Sequence, residues 1–257
     1  MQPTQQQKAW RAGRFWWDRP QSSDPSVQPL KTLGAMIFDL DAIADVECGG
    51  HLPAYNAAFA SLGLEIEWTV ARYRQLLALR DERRRVAAEL RKRGVNTECD
   101  VLAELLADEV CAAKEKIIDE TILDAGIVAR TGLVDLITDA FGAGIAIGVV
   151  SSGRHGWIEP LVRQLVGEGI VSTIVTAADL PAGPDANLYR VALADLGATP
   201  QDALAFAGSH VNQRQATGAG LATVLIEGDD TVGMPLRVAE CQRVHDKWQE
   251  TPRHSAA

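Results

Sequence analysis

Apolar residues fall into two rhythms along this chain. Short apolar runs at 35–39, Ile145–Val150, Val171–Thr176, Ala203–Ala207 and Ala222–Ile226 are closed by polar residues or glycine. Runs of that length predict strands buried on both faces, as in a parallel sheet. Between the later runs the period lengthens to that of a helix, over Leu133–Phe141, Trp157–Val166, Asn187–Leu196 and Val211–Gly218. Strands alternating with helices predict an α/β fold built on a Rossmann-like, doubly wound parallel sheet. One stretch breaks the alternation. His51–Leu62, Val70–Leu79, Arg83–Arg93 and Val101–Ile118 are all helical in period, parted by Gly63, Gly94 and Asn96-Thr97. An all-helical block inside an α/β pattern predicts an inserted helical cap domain. The expected layout is a polar leader at 1–32, a core at 33–47 and 127–235, the cap at 48–126, and a last segment, 236–257, with a helix over Leu236–Trp248.

Composition narrows the function classes. With 257 residues there is room for one large core and an insert. The formal charge of −9 argues against general nucleic-acid binding, which draws its affinity from Lys and Arg on phosphates. Cys48, Cys99, Cys111 and Cys241 form no CxxC pair, so they are expected to be reduced thiols of a cytoplasmic protein. No apolar run reaches membrane-span length, and the N-terminus lacks a signal-peptide core. The leader nevertheless carries Trp10, Trp16 and Trp17. These either dock on the protein's own surface or anchor a protein partner or self-association, since Trp is enriched at binding hot spots.

The chemistry gathers at predicted strand ends. Asp39 and Asp41 follow the first strand, and ligands of open α/β sheets sit beyond such carboxyl ends. Their spacing suits a nucleophile beside an acid/base. The strand Ile145–Val150 runs into Ser151-Ser152-Gly153 and then a helix, whose free N–H groups suit a phosphate. Carboxylate, hydroxyl and helix start together suggest phosphoryl transfer through an aspartyl-phosphate.

From about residue 34 to 226 the sequence resembles the haloacid dehalogenase superfamily, in its β-phosphoglucomutase-like branch with a helical cap. The resemblance rests on Phe38-Asp39-Leu40-Asp41, Ala44-Asp45-Val46-Glu47, His51, Tyr55-Asn56-Ala57-Ala58-Phe59 and Gly63-Leu64. It continues in Tyr73-Arg74-Gln75-Leu76-Leu77, the strand ending at Ser151, Tyr189 with Leu196-Gly197, and Phe206 with Gly218-Ala219-Gly220. It implies that Asp39 is the nucleophile, Asp41 the general acid/base and Ser151 a phosphate ligand, with Ser152 and Arg154 as neighbouring phosphate-binding candidates. It also implies Mg²⁺ held by Asp39 and by acidic residues after a later strand.

Several positions depart from that pattern. Ala42 stands where the family has Gly, and Gly183 where it has a Lys before Pro184, with Asp185 of the wrong sign close by. Ala207 and Gly208 stand where the acidic metal ligands belong, and Arg80 to Arg85 replace a Gly-rich cap linker. Two aspartates and little else would then meet a phosphate with net negative charge, a repulsion of several kcal/mol at moderate dielectric. Asp39 alone is a poor Mg²⁺ site.

Two readings stay open. One is a catalytically impaired relative of sugar-phosphate phosphatases and mutases that binds a ligand or a protein partner, with no cofactor. The other is an active phosphohydrolase on a small phosphorylated metabolite, using Mg²⁺ and rearranged contacts through Arg154 and Asp185. Lys114 is either a solvated helix charge or a cap contact to substrate. Arg80, Arg84 and Arg91 share one helix stripe, expected to be a solvated face or the seat of an anionic partner. His51 is expected to pack at the junction of core and cap.

Overall fold

The computed structural model describes residues 32–79, 81–95, 100–183, 186–226, 234 and 236–250. The leader with Trp10, Trp16 and Trp17 lies outside the described residues, as do Arg80, Cys99, Pro184 and Asp185. Five strands form one sheet: β1 (Ala35–Asp39), β2 (Ala146–Val150), β3 (Thr173–Val175), β4 (Ala203–Ala207) and β5 (Ala222–Leu225). Their order is β3-β2-β1-β4-β5 and every pairing is parallel. β1 is central, flanked by β2 and β4 with Ala35 opposite Ala146 and Ala203. The chain winds outward through β2 and β3, then returns to the far side of β1. That reversal opens a crevice beyond the carboxyl ends of the strands on either side of it.

Side-chain alternation along β1 divides the core into two layers. Met36 and Phe38 face a layer with α6 (Leu133–Gly142) and α7 (His155–Val166), where Leu136, Ile137, Ile158 and Leu161 are buried. Phe38 stacks on Phe206 of β4 at 4.6 Å. Ala35 and Ile37 face α8 (Leu188–Leu196) and α9 (His210–Gly218), with Tyr189, Ala192 and Ala216. The same alternation turns the Asp39 side chain toward α8 and α9. A one-turn helix, α1 (Leu40–Ile43), follows β1, and the last helix, α10 (Val238–Glu250), packs on α6, β4 and β5.

Between α1 and α6 lies the helical insert: a π-helical turn at Glu47–His51, α2 (Leu52–Ser61), α3 (Val70–Leu76), α4 (Glu82–Lys92) and α5 (Asp100–Thr121). It has its own apolar cluster, in which Trp68 packs on Tyr55 and Phe59 at 4.8 and 4.9 Å. Thr69 and Asp81 cap α3 and α4 by accepting the N–H groups of Arg72 and Arg84. α3 stops short of the expected Leu79. Its end tightens into shorter-range turns, and the Leu79 carbonyl accepts Arg85 Nε at 2.6 Å. His51 is edge-on to Trp157 of α7 at 5.9 Å, where burial first, then the charges of Lys114 and Arg85, hold it neutral. Cys48, Cys111 and Cys241 are free thiols. No helix among the described residues is long and apolar enough to cross a membrane.

Candidate active site

A cavity of about 500 Å³ lies at the crevice beside β1. Asp39, Asp41, Ser151 and Ser152 all line it, so four of the residues singled out in the sequence meet at one place. Asp39 is nearly buried, at 3% exposure. Its Oδ2 accepts the Gly208 N–H at 3.0 Å and the Asn212 side-chain amide at 2.5 Å. Burial raises its proton affinity; the Asn212 amide and the backbone N–H groups of Gly208, Asp41 and Leu40 oppose that rise.

Asp41 is held differently. Its Oδ1 is buried without a hydrogen-bond partner, while its carbonyl accepts the Arg130 guanidinium at 3.1 and 3.3 Å. Burial first, then the negative charges of Glu47, Asp39 and Asp45, push its carboxyl well above the usual range. Both causes disfavour the anion relative to the neutral acid. Glu47 is likewise raised by burial, and accepts a short hydrogen bond from the Tyr73 hydroxyl.

The charge inventory differs from the expected two aspartates and little else. Arg74, Arg85 and Arg130 line the cavity together with Asp39, Asp41, Asp45 and Glu47. Arg85, at the end of the stretch that stands in for the Gly-rich linker, is only 8% exposed. Its stem packs inward while its head reaches polar groups, as long basic side chains do. Arg130 arrives through the strand-like return of the insert, where Ala129 bridges Ala44 and the Arg130 N–H bonds the Ile43 carbonyl at 2.7 Å.

Other expected site residues sit elsewhere. Arg154, expected at the phosphate, turns to α5 and pairs with Asp119 at 2.5 Å and Glu115 at 3.4 Å. Lys114 is neither solvated nor at the cavity. It is fully buried, 2.9 Å from Glu82 and 2.8 Å from Glu115, with its ammonium over the Tyr55 ring. Gly183 is exposed and is not among the residues lining the cavity, with a φ of +144° that favours glycine. Ala42 is buried in α1, a right-handed helical turn that alanine adopts without strain. Ala207 ends β4 with its side chain in the core.

Gly208 carries the largest steric consequence. A Cβ there would stand 2.4 Å from the carbonyl carbon of Asp41, 2.6 Å from the amide nitrogen of Ala42 and 2.7 Å from the Asp41 Cβ. No side chain fits at this position unless the Asp41–Ala42 backbone moves.

A central strand ending in two carboxylates, a helical insert after it and a serine at the neighbouring strand end define a distinct class of α/β fold. Residues 36–226 match the haloacid dehalogenase-like hydrolase family, and the chain belongs to it. Within that family it lies in the branch of CbbY and β-phosphoglucomutase-like proteins. It is 31% identical over 201 residues to Protein CbbY of Cereibacter sphaeroides, covering 76% of this chain and 85% of that one. The crystal structure of CbbY from Rhodobacter sphaeroides in complex with phosphate superposes with a TM-score of 0.62 at 28% identity, over 79% of this chain and 92% of the other. A variant of that protein in complex with xylulose-(1,5)bisphosphate gives a TM-score of 0.61 at 27% identity, with the same coverage of each chain.

The family implies Mg²⁺ beside Asp39, and the donor set here does not fit that ion. Mg²⁺ requires a near-octahedral shell of oxygens. Position 208 has no space for a carboxylate, and two N–H donors face the Asp39 oxygen that turns toward it. Among the described residues, no group of three or more His, Cys, Asp and Glu side chains is placed to hold a metal ion.

Proposed function

We propose that this protein binds a small phosphorylated metabolite, of the sugar-phosphate class, at the Asp39 cavity and does not hydrolyse it. The observation that carries this reading is the contact of Gly208 with the Asp41–Ala42 backbone, which bars a metal-binding carboxylate from the end of β4. The relatives' complexes with phosphate and with xylulose-(1,5)bisphosphate support the ligand class.

The residues present suit binding. The Ser151 and Ser152 region leads into α7, whose first-turn N–H groups favour an anion. Arg74, Arg85 and Arg130 supply positive charge to the same cavity. A protonated Asp41 donates a hydrogen bond where an ionised one would repel. In this reading Asp39, tied to Asn212 and Gly208, orients the cavity floor and does not attack the phosphorus.

Calorimetry with a panel of sugar mono- and bisphosphates tests the proposal. Binding should persist in millimolar EDTA, and Arg85→Ala or Arg130→Ala should weaken it about ten- to hundredfold, since one charge-assisted hydrogen bond contributes ~1.5–3 kcal/mol. Absence of binding across the panel, or binding that EDTA abolishes, would contradict it. One observation favours the alternative, an active phosphohydrolase working through an Asp39 aspartyl-phosphate. Asp39, Asp41 and Ser151 line one cavity, and a raised Asp41 suits a general acid. Liberated phosphate separates the two readings.

A further inference from the structure

The first turn of α9 is aimed at the carboxyl end of β1. Ser209 caps this helix by accepting the Asn212 N–H at 3.2 Å, which fixes the backbone of the third helical residue. Helical side chains lean back toward the helix start, so Asn212 reaches out of the helix toward the sheet. There its Nδ2 meets Asp39 Oδ2 at 2.5 Å, and the Gly208 N–H meets the same oxygen at 3.0 Å. A carboxylate oxygen offers two lone-pair sites. Both are used by donors that belong to the protein itself.

The consequence for a cation is direct. An amide NH₂ presents hydrogens and has no lone pair to offer a metal, and a hard cation seeks oxygen. The donors are also hard to displace. One sits on the capped first turn of α9 and the other on backbone packed against Asp41 and Ala42. We infer that Asn212, together with the Gly208 N–H, occupies the Asp39 oxygen that a cation would otherwise take, and so keeps this site free of metal. The inference rests on the binding-without-turnover reading and names the side chain responsible for it.

Manganese titration followed by electron paramagnetic resonance tests this without any phosphorylated ligand. Asn212→Asp is close to isosteric and replaces the donor by a second carboxylate at hydrogen-bond distance, a pair that demands a shared proton or a cation. Wild type is expected to take up no more Mn²⁺ at millimolar concentration than Asp39→Asn. Asn212→Asp is expected to bind Mn²⁺ about tenfold or more tightly, and to lose that binding when Asp39→Asn is added. Thermal unfolding gives a second reading, because an ion that binds only the native state raises the midpoint. The midpoint of Asn212→Asp should rise with Mn²⁺ and that of wild type should not. Mn²⁺ uptake by wild type that Asp39→Asn abolishes would overturn the inference whether or not Asn212→Asp folds. A folded Asn212→Asp that binds no more than wild type would overturn it too. Phosphate release plays no part in these titrations, so a failure of the binding-only reading is seen separately.

Discussion

Substituting Gly208 by alanine puts a methyl carbon 2.4 Å from the carbonyl carbon of Asp41, with two further atoms of residues 41 and 42 inside 2.8 Å. All three contacts are with backbone or with the first side-chain carbon, so no rotamer change relieves them. Overpacking a filled site costs about 1–3 kcal/mol. Any shift also misaligns the Gly208 N–H on the Asp39 carboxylate, a charge-assisted bond that contributes about 1.5–3 kcal/mol. Together these give a loss of about 2.5–6 kcal/mol. For a domain of this size each kcal/mol moves the midpoint by about 2–4 °C, so Gly208→Ala should unfold about 5–24 °C below wild type. Circular dichroism melts read this directly. Gly218→Ala is the control: it lies at the end of α9 with nothing within 4 Å of a new Cβ, and should stabilise by about 0.4–1 kcal/mol. A Gly208→Ala protein that melts within about 2 °C of wild type would refute the packing argument, and with it the reason for the missing carboxylate.

Asp41 gives a pH prediction. Its folded-state proton affinity is raised, so its contribution to stability is intact below about pH 4 and is lost as pH rises through its folded pKa. Asp41→Asn, neutral throughout, should match wild type near about pH 4 and melt higher near about pH 8; a lower midpoint at the higher pH would contradict this. Lys114 separates volume from charge. Its partners Glu82 and Glu115 keep 37% and 31% side-chain exposure, so water can replace the ammonium. Lys114→Met should cost about 1.5 kcal/mol or less and Lys114→Ala about 2–4 kcal/mol in urea unfolding, and equal losses would show that the ion pairs matter more than packing.

How far these features could be read from the chain depends on their range. Strands of four to six apolar residues and helices with a clear apolar period fell within a few positions of their observed ends, because local burial sets both. β4 is an example, with Ala203–Ala207 both expected and observed. That Asp39, Asp41, Ser151 and Ser152 share one crevice is legible from their place after strands, since topology alone carries strand ends there. Arg85 and Arg130 were missed for the converse reason. Nothing local says that one arginine in a basic run turns inward, or that a residue 89 positions from Asp41 returns to its carbonyl. Lys114 shows the same limit, since a single lysine on a helix reads as solvated until two glutamates and a tyrosine ring close around it. Asn212 did leave a faint mark. Ser209 three residues before it reads as a helix cap, which places Asn212 in the first turn at the end of a strand. The steric block at Gly208 left none, because it depends on how closely the Asp41–Ala42 backbone approaches β4.

In the proposed reading the cavity binds a phosphorylated ligand and does not turn it over. Phosphate release across a panel of sugar mono- and bisphosphates, with Mg²⁺ present, measures it most directly when wild type and Asp39→Asn are compared side by side. Equal background release from the two proteins, with the ligand recovered intact, is the predicted result. Steady turnover by wild type that disappears in Asp39→Asn would contradict the account and establish a working phosphohydrolase with Asp39 as its nucleophile.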